Sequence, residues 1–387
     1  MEKISANANQ AVISNKKVSS KALAQQLLQS AGITINGSEP WDIQVHRDDF
    51  YDRVFQEGSL GLGESYMEKW WDCERLDIFF EKILRAKLDS VAKIPFSFYM
   101  RQLLAKVINF QSKHRAKEVA YTHYDLGNSL FTVMLDKYMI YSCGYWKEAR
   151  TLEEAQQAKL ELICQKLQLK PGLRLLDIGC GWGGLAKYAA EKYGVTVVGV
   201  TISQQQYDYA KEFCKDLPVT IYLKDYRDVH EKFDRVVSVG MFEHVGHANY
   251  STFMKIAHRA LTDDGLFLLH TIGSNETSPM ANEWILKYIF PNGMLPSIAQ
   301  IAKTCEKLFV MEDWHNFGAY YDNTLMAWHE NFAKQWDSLQ TKYDERFYRM
   351  WTYYLLSCAG SFRARVNQLW QVVFSKAGVP GGYIAPR

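Results

Sequence analysis

Leu173 to Leu185 reads LRLLDIGCGWGGL, and this stretch decides the fold of the chain. Its first half, Arg174 to Ile178, is a short apolar run of the kind that forms a buried parallel strand, and the glycines after it open a predicted helix. Because Gly179, Gly181 and Gly183 carry no side chains, the backbone can bend tightly here and come close to a ligand. The helix N-terminus supplies unpaired N–H groups. The stretch is therefore typical of a strand, turn and helix that cradle a nucleotide.

The glycine turn alone leaves two classes of cofactor open. Gly179, Gly181 and Gly184 also satisfy the G-x-G-x-x-G pattern of dinucleotide binders. An NAD site needs an acidic residue at the end of the second strand, and an NADP site prefers an arginine nearby. The second predicted strand and the residues after it, Thr196 to Tyr207, read TVVGVTISQQQY and contain neither.

Neutral hydrogen-bonding side chains stand where a dinucleotide site needs a charge. Thr201, Ser203 and Gln206 follow the second strand. A neutral rim suits an adenosine ligand without phosphates, as does Asp177 just before the glycines. The sequence therefore favours S-adenosylmethionine over a nicotinamide cofactor. The alternative is an α/β domain whose glycine turn has only a structural role and binds no ligand. On this argument the candidate cofactor contacts are Asp177, Gly179, Gly181, Thr201 and Gln206.

Composition limits the remaining classes of protein. A chain of 387 residues that is 48% hydrophobic suggests two domains, or one domain with large additions. The net charge of +2 gives no electrostatic push toward nucleic acid. Seven scattered cysteines without a C-x-x-C pair favour a reducing compartment over disulfides or a zinc site. The N-terminus, MEKISANANQ, lacks the apolar core of a signal peptide, and no apolar run is long enough to span a membrane. We therefore expect a cytoplasmic protein, at most peripherally associated with the inner face of the cell membrane.

The N-terminal quarter of the chain is predicted to form an accessory domain. Residues 1–92 are expected to be α-rich and to take part in lipid binding, and 40–77 reads as a small separate module. Lys82 to Lys117 contains nine Lys or Arg residues against one acid, with apolar residues between them. Such a basic amphipathic segment suits an anionic phospholipid bilayer, while a solvated helix face beside the core fits the composition almost as well. We assign 93–118 as a basic linker.

Residues 119–387 are predicted to form the catalytic domain, with the α/β alternation of a Rossmann-like sheet. Predicted strands lie at about 174–178, 196–201, 219–223, 234–239 and 265–271. A parallel sheet built this way places its functional residues just after the carboxyl ends of the strands. The insertion from Ser274 to Lys307 is long enough to cap a pocket there. An apolar strand at 368–374 is expected to close the edge of the sheet.

Six stretches of this domain carry a resemblance to a known family. They are YSCGYW (Tyr141–Trp146), LDIGCGWGG (Leu176–Gly184), GVTISQQQ (Gly199–Gln206), GMFEHVG (Gly240–Gly246), HTIG (His270–Gly273) and EDWHNFGAYYDNTLMAWHE (Glu312–Glu330). Together they resemble the bacterial cyclopropane-fatty-acyl-phospholipid synthases, and the resemblance runs from about residue 40 to the end. The shorter mycolic acid cyclopropane synthases share the catalytic motifs, but the additional N-terminal module is similar to that of the phospholipid-acting enzymes.

The resemblance implies a class I methyltransferase fold with a helical cap. It implies transfer of a methylene group from S-adenosylmethionine to the cis double bond of a phospholipid acyl chain, and it suggests a homodimer. An alkene is a weak nucleophile, so the sulfonium methyl group must be held close and aligned with it. The carbocation that follows needs a dry pocket with aromatic faces, and a base must then remove a proton so that the ring closes.

The resemblance also assigns site residues. In the family the base is a bound bicarbonate ion, held by residues that match Cys143, Glu243, His270, Tyr321 and the backbone of Ile272. Cys358 matches a family cysteine that is sometimes proposed as a nucleophile, although this mechanism contains no covalent enzyme intermediate. The cofactor contacts implied by the family are Tyr141, Ser142, Gly179, Thr201, Gln206 and Tyr226. Many relatives carry Trp-Glu where this chain has Tyr226-Arg227, which is a departure at the adenine contact.

Other interpretations of these residues stay open. Glu243-His244 with His247 could hold a metal, but no third ligand stands at a convincing spacing, so we assign no metal site. On composition alone, His270 could be a core histidine and Tyr321 a packing residue. A related lipid C-methyltransferase that forms a methyl- or methylene-branched chain would share every cofactor motif. A lipid-binding module with a vestigial cofactor fold would not need Cys143, Glu243 and His270 together.

Overall fold

The computed structural model describes residues 19–88, 127–278 and 282–387. Its N-terminal part consists of helices and a small antiparallel sheet. In chain order these elements are α1 (Ser20–Ser30), β1 (Gln44–Val45), α2 (Asp49–Glu57), α3 (Ser59–Met67), β2 (Trp71–Asp72) and α4 (Leu76–Arg85). The predicted basic linker, 93–118, lies outside the described residues, as does most of the basic segment that begins at Lys82.

The C-terminal part alternates strands and helices. Its elements are α5 (Asn128–Met134), α6 (Leu152–Lys166), β3 (Arg174–Ile178), α7 (Gly184–Tyr193), β4 (Thr196–Thr201), α8 (Gln204–Phe213), β5 (Val219–Leu223), β6 (Phe233–Val239), α9 (Tyr250–Ala260), β7 (Leu261–Ser274), α10 (Glu283–Tyr288), α11 (Ile298–Cys305), β8 (Val310–Asn316), α12 (Tyr320–Lys334), α13 (Trp336–Leu339), α14 (Glu345–Arg363) and β9 (Asn367–Ser375). Across the three described ranges, no helix combines the length and the apolar character needed to cross a bilayer.

Seven strands form one sheet in the order β5-β4-β3-β6-β7-β9-β8. The first five strands of this order are parallel, and β9 is antiparallel to both of its neighbours. The predicted parallel strands are all present, and the strand predicted at 265–271 is the central part of the longer β7. Parallel strands of this kind place their carboxyl ends at one edge, where a ligand site is expected.

The final strand does not lie where the sequence analysis expected it. The apolar strand predicted at 368–374 is β9, but it lies between β7 and β8 instead of closing the edge of the sheet. The edge strand is β8, which was not predicted because its sequence, VMEDWHN, is largely polar or charged. Successive residues of β9 are buried, so both faces of the strand are covered, which agrees with its apolar character.

The N-terminal module shares its core with the catalytic domain. Helix α14 packs against α4, and one continuous cluster of buried apolar residues includes side chains from both parts. The Tyr353 ring of α14 lies 5.6 Å from Tyr66 and 5.2 Å from Phe80. Arg363 pairs with the buried Asp77 at 2.8 Å. The expectation of a separate module is therefore wrong in its packing, while the boundaries 1–92 and 119–387 stay predictions.

Helix α6 begins at a strong local signal and lies beside the site described below. The Thr151 hydroxyl accepts a hydrogen bond from the Glu154 N–H (3.2 Å), and the Glu154 carboxylate accepts one from the Thr151 N–H (3.3 Å). This reciprocal cap satisfies two backbone groups that the helix leaves free and stabilises its start by about 1 kcal/mol. The cap therefore fixes the residue at which α6 begins.

Candidate active site

A cavity of about 200 Å³ opens at the carboxyl ends of β3, β4 and β6, beside the glycine turn. Gly179 has a φ of +82°, and a Cβ atom there would lie 2.7 Å from Met241 Cγ, so this position requires glycine. The N–H of Gly179 donates to the carbonyl of Val200 at 2.9 Å and fixes the turn against β4. Residues 290–292 of the predicted capping insertion also line the cavity.

The eight residues predicted as cofactor contacts all line this cavity. They are Tyr141, Ser142, Asp177, Gly179, Gly181, Thr201, Gln206 and Tyr226. The Thr201 hydroxyl donates to Gln206 Oε1 at 2.9 Å, which holds these two neutral groups together after β4. At the unusual Tyr226-Arg227 pair, the guanidinium lies 5.2 Å from the Tyr226 ring centroid and 3.4 Å from Asp225 Oδ1. The structure thus brings the predicted set together, and cofactor binding by each residue stays a prediction.

Two residues that the sequence analysis missed hold one wall of the cavity. Gln156 Nε2 donates to the Ser142 carbonyl (2.7 Å), and Lys159 Nζ donates to the Ser142 hydroxyl (3.0 Å). Both side chains are completely buried on α6. The sequence did contain a signal for them, because they share the helix stripe of the buried Leu152 and Leu160 and are polar where that stripe is otherwise apolar.

Burial changes the pKa values of Asp177 and Lys159, two ionisable residues that line the cavity, in opposite directions. It raises the pKa of Asp177 to about 7 and lowers the pKa of Lys159 to about 8, and the attraction between the two groups opposes both shifts. Asp136, just before this wall, accepts hydrogen bonds from the N–H groups of Tyr138 (3.0 Å) and Ile140 (2.9 Å). The wall therefore concentrates ionisable groups where a charged part of a ligand would lie.

A second group of residues lies next to the cavity, behind its wall. The Ile272 N–H donates to Glu243 Oε1 at 2.6 Å, which positions the carboxyl group at the ends of β6 and β7. His270 Nδ1 lies 3.3 Å from Gln371 Nε2 of β9. The other acceptor of Glu243, Oε2, and the other ring nitrogen of His270, Nε2, have no partner among the described residues. Each of these two buried side chains, at the ends of neighbouring strands, thus presents one unsatisfied polar atom.

Cys143 and Tyr321 belong to this same buried region. The Thr324 hydroxyl lies 3.8 Å from the Cys143 sulfur, and the thiol donates to the Gly144 carbonyl at 3.2 Å. The Tyr321 ring stacks on Phe362 with centroids 4.4 Å apart. Burial raises the pKa of Tyr321 far above its ordinary value, and the nearby Cys143 and Glu243 add to this shift. Both side chains are therefore neutral hydrogen-bonding groups at physiological pH.

Burial also sets the protonation of the two unsatisfied residues. It raises the pKa of Glu243 to about 7, with the Ile272 N–H opposing the shift, and it lowers the pKa of His270 far below its ordinary value. His270 is therefore a neutral imidazole. In the tautomer whose Nδ1 accepts from the Gln371 amide, the proton of His270 resides on Nε2. The site thus offers a hydrogen-bond donor on His270 and an acceptor on Glu243.

The chemistry of these two atoms suits a small ion that both donates and accepts hydrogen bonds. Bicarbonate has one hydroxyl, which Glu243 Oε2 can accept, and two further oxygens, to which His270 Nε2 can donate. The N–H of Ile272 donates to Glu243 and so orients that carboxyl group, while a backbone contact of Ile272 with the anion stays a prediction. The residues present are therefore compatible with the anion that the family resemblance implies.

Aromatic rings connect the residues that line the cavity with the buried residues around Glu243. The Tyr141 hydroxyl lies 2.9 Å from the Tyr354 hydroxyl, and the Tyr141 ring lies 5.0 Å from Trp328. The Trp328 ring in turn lies 6.1 Å from Tyr321. Tyr141 lines the cavity and Tyr321 lies near Glu243, so the three rings connect one site to the other. Their faces can stabilise a positive charge without supplying a nucleophile.

The three residues of the metal interpretation, Glu243, His244 and His247, have different surroundings in the structure. Among the residues that the structure describes, no group of three or more His, Cys, Asp and Glu side chains could hold a metal ion. Glu243 is engaged with the Ile272 backbone. His244 lines the cavity instead, with its ring 5.5 Å from Phe290, and burial lowers its pKa to about 4. His247 contacts Met294.

Cys358, the candidate nucleophile, lies in α14. Burial raises the pKa of its thiol to about 12, so almost no thiolate exists at neutral pH. We therefore expect Cys358→Ala to keep turnover within about twofold of the wild type, whereas Cys143→Ala should lower it. Steady-state methyl transfer measured at matched folded fraction checks this. A loss of more than tenfold in the Cys358 variant alone would restore it as a nucleophile.

Comparison with known proteins identifies the family. The model of the mycolic acid cyclopropane synthetase family matches residues 111–372. The cyclopropane-fatty-acyl-phospholipid synthase of Escherichia coli (strain K12) is 61% identical over 360 residues, which cover 93% of this chain and 94% of that protein. The solved cyclopropane synthase MmaA2 of Mycobacterium tuberculosis superposes with a TM-score of 0.64 at 33% identity, over 67% of this chain and 98% of its own. Mycolic acid cyclopropane synthase CmaA1, solved with SAH and CTAB, gives a TM-score of 0.63 at 34% identity over the same shares.

These matches confirm the resemblance read from the sequence and the class I methyltransferase sheet. The match to the Escherichia coli synthase covers 93% of the chain and so includes most of the N-terminal module, whereas the match to MmaA2 covers 67%. The chain therefore belongs to the mycolic acid cyclopropane synthetase family, and it is an enzyme with the fold of S-adenosylmethionine-dependent methyltransferases.

Proposed function

We propose that this enzyme transfers a methylene group from S-adenosylmethionine to the cis double bond of an unsaturated phospholipid acyl chain, forming a cyclopropane ring. The observation that carries the proposal is the pair of unsatisfied buried atoms, Glu243 Oε2 and His270 Nε2, beside a cavity with a neutral adenosine rim. Two relatives support it: one is named for fatty-acyl phospholipids, and CmaA1 was solved with SAH.

The cavity and the aromatic rings account for the first half of the reaction. The alkene π electrons form a bond to the methyl carbon while the electron pair of the S–C bond returns to sulfur, which leaves a carbocation on the acyl chain. The cavity wall holds the methyl donor in line with the alkene. Tyr141, Trp328 and Tyr321 exclude water and offer their ring faces to the cation.

Glu243 and His270 account for the second half of the reaction, in which the ring closes. A C–H bond of the transferred methyl group breaks, its electrons close the three-membered ring, and the proton must be accepted by a base. We propose that Cys143, Glu243, His270 and Tyr321 hold bicarbonate, with Ile272 orienting Glu243. Bound there, bicarbonate supplies that base. The neutral His270 donates a hydrogen bond instead of carrying a second positive charge near the cation.

Incubation with labelled S-adenosylmethionine and vesicles of unsaturated phospholipid tests the reaction. We expect label in the acyl chains and a product that resists ozonolysis and shows cyclopropane protons by NMR. A methylene-branched product has the same mass but retains a carbon–carbon double bond, so ozonolysis separates it from the ring. Calorimetry with NAD is the control for the cofactor. Binding of NAD without binding of S-adenosylmethionine would overturn the proposal.

We propose a peripheral place on the inner face of the cell membrane as well. Lys82 Nζ already has partners within the N-terminal module, because it donates to the Gly32 carbonyl (3.3 Å) and lies 4.8 Å from the Trp41 ring. Arg85 is likewise paired, with Glu81. The bilayer contact is therefore assigned to the later basic residues of the segment that ends at Lys117. The homodimer suggested by the resemblance is also a proposal, for which sedimentation velocity is the test.

Replacing several basic residues within 93–117 by glutamine should weaken sedimentation with anionic phosphatidylglycerol vesicles. Each basic residue near such a surface contributes about 1 kcal/mol, and salt screens the interaction. Binding of the wild type should accordingly fall as ionic strength rises. The equivalent replacement of Lys82 and Arg85, which are already paired, is the control and should change binding less. Binding that is insensitive to salt and to both sets of changes would return the segment to a solvated helix face.

A further inference from the structure

Lys159 stands out among the buried charges of the described residues. Its side chain is 1% exposed and lines the cavity beside the glycine turn. Because the proposed function places the methyl donor there, we call it the donor cavity. Nζ donates to the Ser142 hydroxyl at 3.0 Å, and no carboxylate oxygen within the described ranges lies within ion-pair distance of it. Lys166, two turns further along α6 and equally buried, instead pairs with Asp313 at 3.1 Å. A buried ammonium group without a counter-ion is costly, so the cavity favours an anion at this position.

The carboxylates near Lys159 do not supply that partner. Asp136 acts on it only at longer range, and its oxygens are occupied by the N–H groups of Tyr138 and Ile140. Asp177 also acts at a distance, and burial keeps its own pKa near neutrality, at about 7. An ammonium group has three hydrogens, and Ser142 accepts one of them. The other two are available to a ligand in the cavity.

The order of the strands indicates which part of the methyl donor lies beside Lys159. Thr201 and Gln206 follow β4, and Tyr226 follows β5, so the neutral adenosine rim lies toward the β5 edge of the sheet. Ser142 and Asp177 form the wall at β3, further along the sheet in the order β5-β4-β3. A donor with its adenosine part at β4 and β5 therefore extends its amino-acid part toward Lys159.

We propose that Lys159 receives the carboxylate of the amino-acid part of S-adenosylmethionine and is a specificity-determining residue for donors that carry this group. The inference rests on the proposed function, because it requires the cavity to bind that donor. Ser142 holds the ammonium group in place, and Gln156 holds the Ser142 backbone through the same face of α6. The reaction itself does not require the carboxylate, so this contact contributes to donor binding and not to the chemical step.

Two ligands that differ in one group test the assignment. S-adenosylhomocysteine carries the carboxylate, whereas S-adenosyl-3-thiopropylamine is the same molecule without it. For the wild type we expect calorimetry to show clearly tighter binding of S-adenosylhomocysteine. In Lys159→Met the affinity for S-adenosylhomocysteine should fall roughly 10- to 100-fold, as expected for loss of a charge-assisted hydrogen bond, while the affinity for the decarboxylated ligand stays the same. In kinetics, KM for S-adenosylmethionine should rise and kcat at saturation should stay within about threefold.

Lys166→Met is the matched control, since it removes an equally buried lysine from the same helix but away from the cavity. It should leave the affinity ratio of the two ligands unchanged. If Lys159→Met does not fold, Lys159→Gln keeps a donor for Ser142, lacks the charge and should give the same ratio change. An equal fall for both ligands, or no fall for either, would overturn the assignment to Lys159. Failure of the wild type to bind either ligand would instead overturn the proposed function.

Discussion

Glu243→Gln should lower turnover about 100-fold or more while leaving the binding of S-adenosylhomocysteine unchanged. The carboxyl group lies outside the wall of the donor cavity, so the donor contacts stay in place. One oxygen can still accept from the Ile272 N–H, but the amide nitrogen replaces the unsatisfied Oε2 and turns an acceptor into a donor. A bound anion then loses the partner for its hydroxyl. Single-turnover methyl transfer and calorimetry measure the two effects separately.

Removal of dissolved carbonate distinguishes a holder of the base from the base itself. If Glu243 holds bicarbonate, wild-type activity should fall in carbonate-free buffer and recover when carbonate is restored. Glu161→Gln is a suitable control, because Glu161 accepts hydrogen bonds from Tyr188 (2.8 Å) and Tyr193 (2.6 Å) away from the site. Full wild-type activity without carbonate, together with an inactive Glu243→Gln, would make Glu243 the direct base.

Gly184→Ala should abolish donor binding and destabilise the protein by roughly 3 kcal/mol or more. A Cβ at this position would lie 2.0 Å from the carbonyl oxygen of Tyr138, which is a backbone atom and cannot rotate away. The clash would push the segment that carries Tyr141 and Ser142 away from the start of α7. Both residues line the cavity, so the donor site would open at the same time. Denaturant unfolding and calorimetry with S-adenosylhomocysteine check the two effects.

Gly172→Ala separates this clash from the general cost of losing a glycine. Gly172 has a φ of +88°, but a Cβ atom there would have no neighbour within 4 Å. We expect a cost of about 1–2 kcal/mol from backbone strain alone, with donor binding retained. A Gly184→Ala protein as stable as the Gly172→Ala protein would contradict the role assigned to the close approach of Tyr138.

The residues that the sequence predicted as cofactor contacts line one cavity because the determinants of this cavity are local. The glycine turn and the neutral residues after β4 follow directly from strands whose apolar pattern is unambiguous, and Glu243 and His270 likewise stand at strand ends. Cys143 and Tyr321 could be assigned only through the family resemblance, because their proximity to Glu243 arises from elements far apart in the chain.

The features that the sequence analysis did not predict depend on contacts between residues far apart in the chain. Strand β8 escaped prediction because its charged residues find partners that the local pattern does not show: Asp313 pairs with Lys166 and Arg387. Lys159 was missed for a related reason. Its helix stripe is otherwise apolar, but only the fold shows that Lys159 Nζ meets the Ser142 hydroxyl. The packing of Tyr353 on Tyr66 and Phe80 could not be foreseen either, since the residues involved are more than 270 positions apart in the chain.

The placement of β9 between β7 and β8 bears on biosynthesis. In the sheet, β8 has no neighbour other than β9, so its backbone groups cannot pair until residues 367–375 have left the ribosome. The same late strand brings Gln371, the partner of His270. During translation the glycine turn and the parallel strands can therefore form first, whereas the half of the active site at His270 is completed only once the last strand is inserted. A nascent chain stalled before residue 367 would expose β7 and β8 as unpaired edges and would depend on chaperones to avoid aggregation.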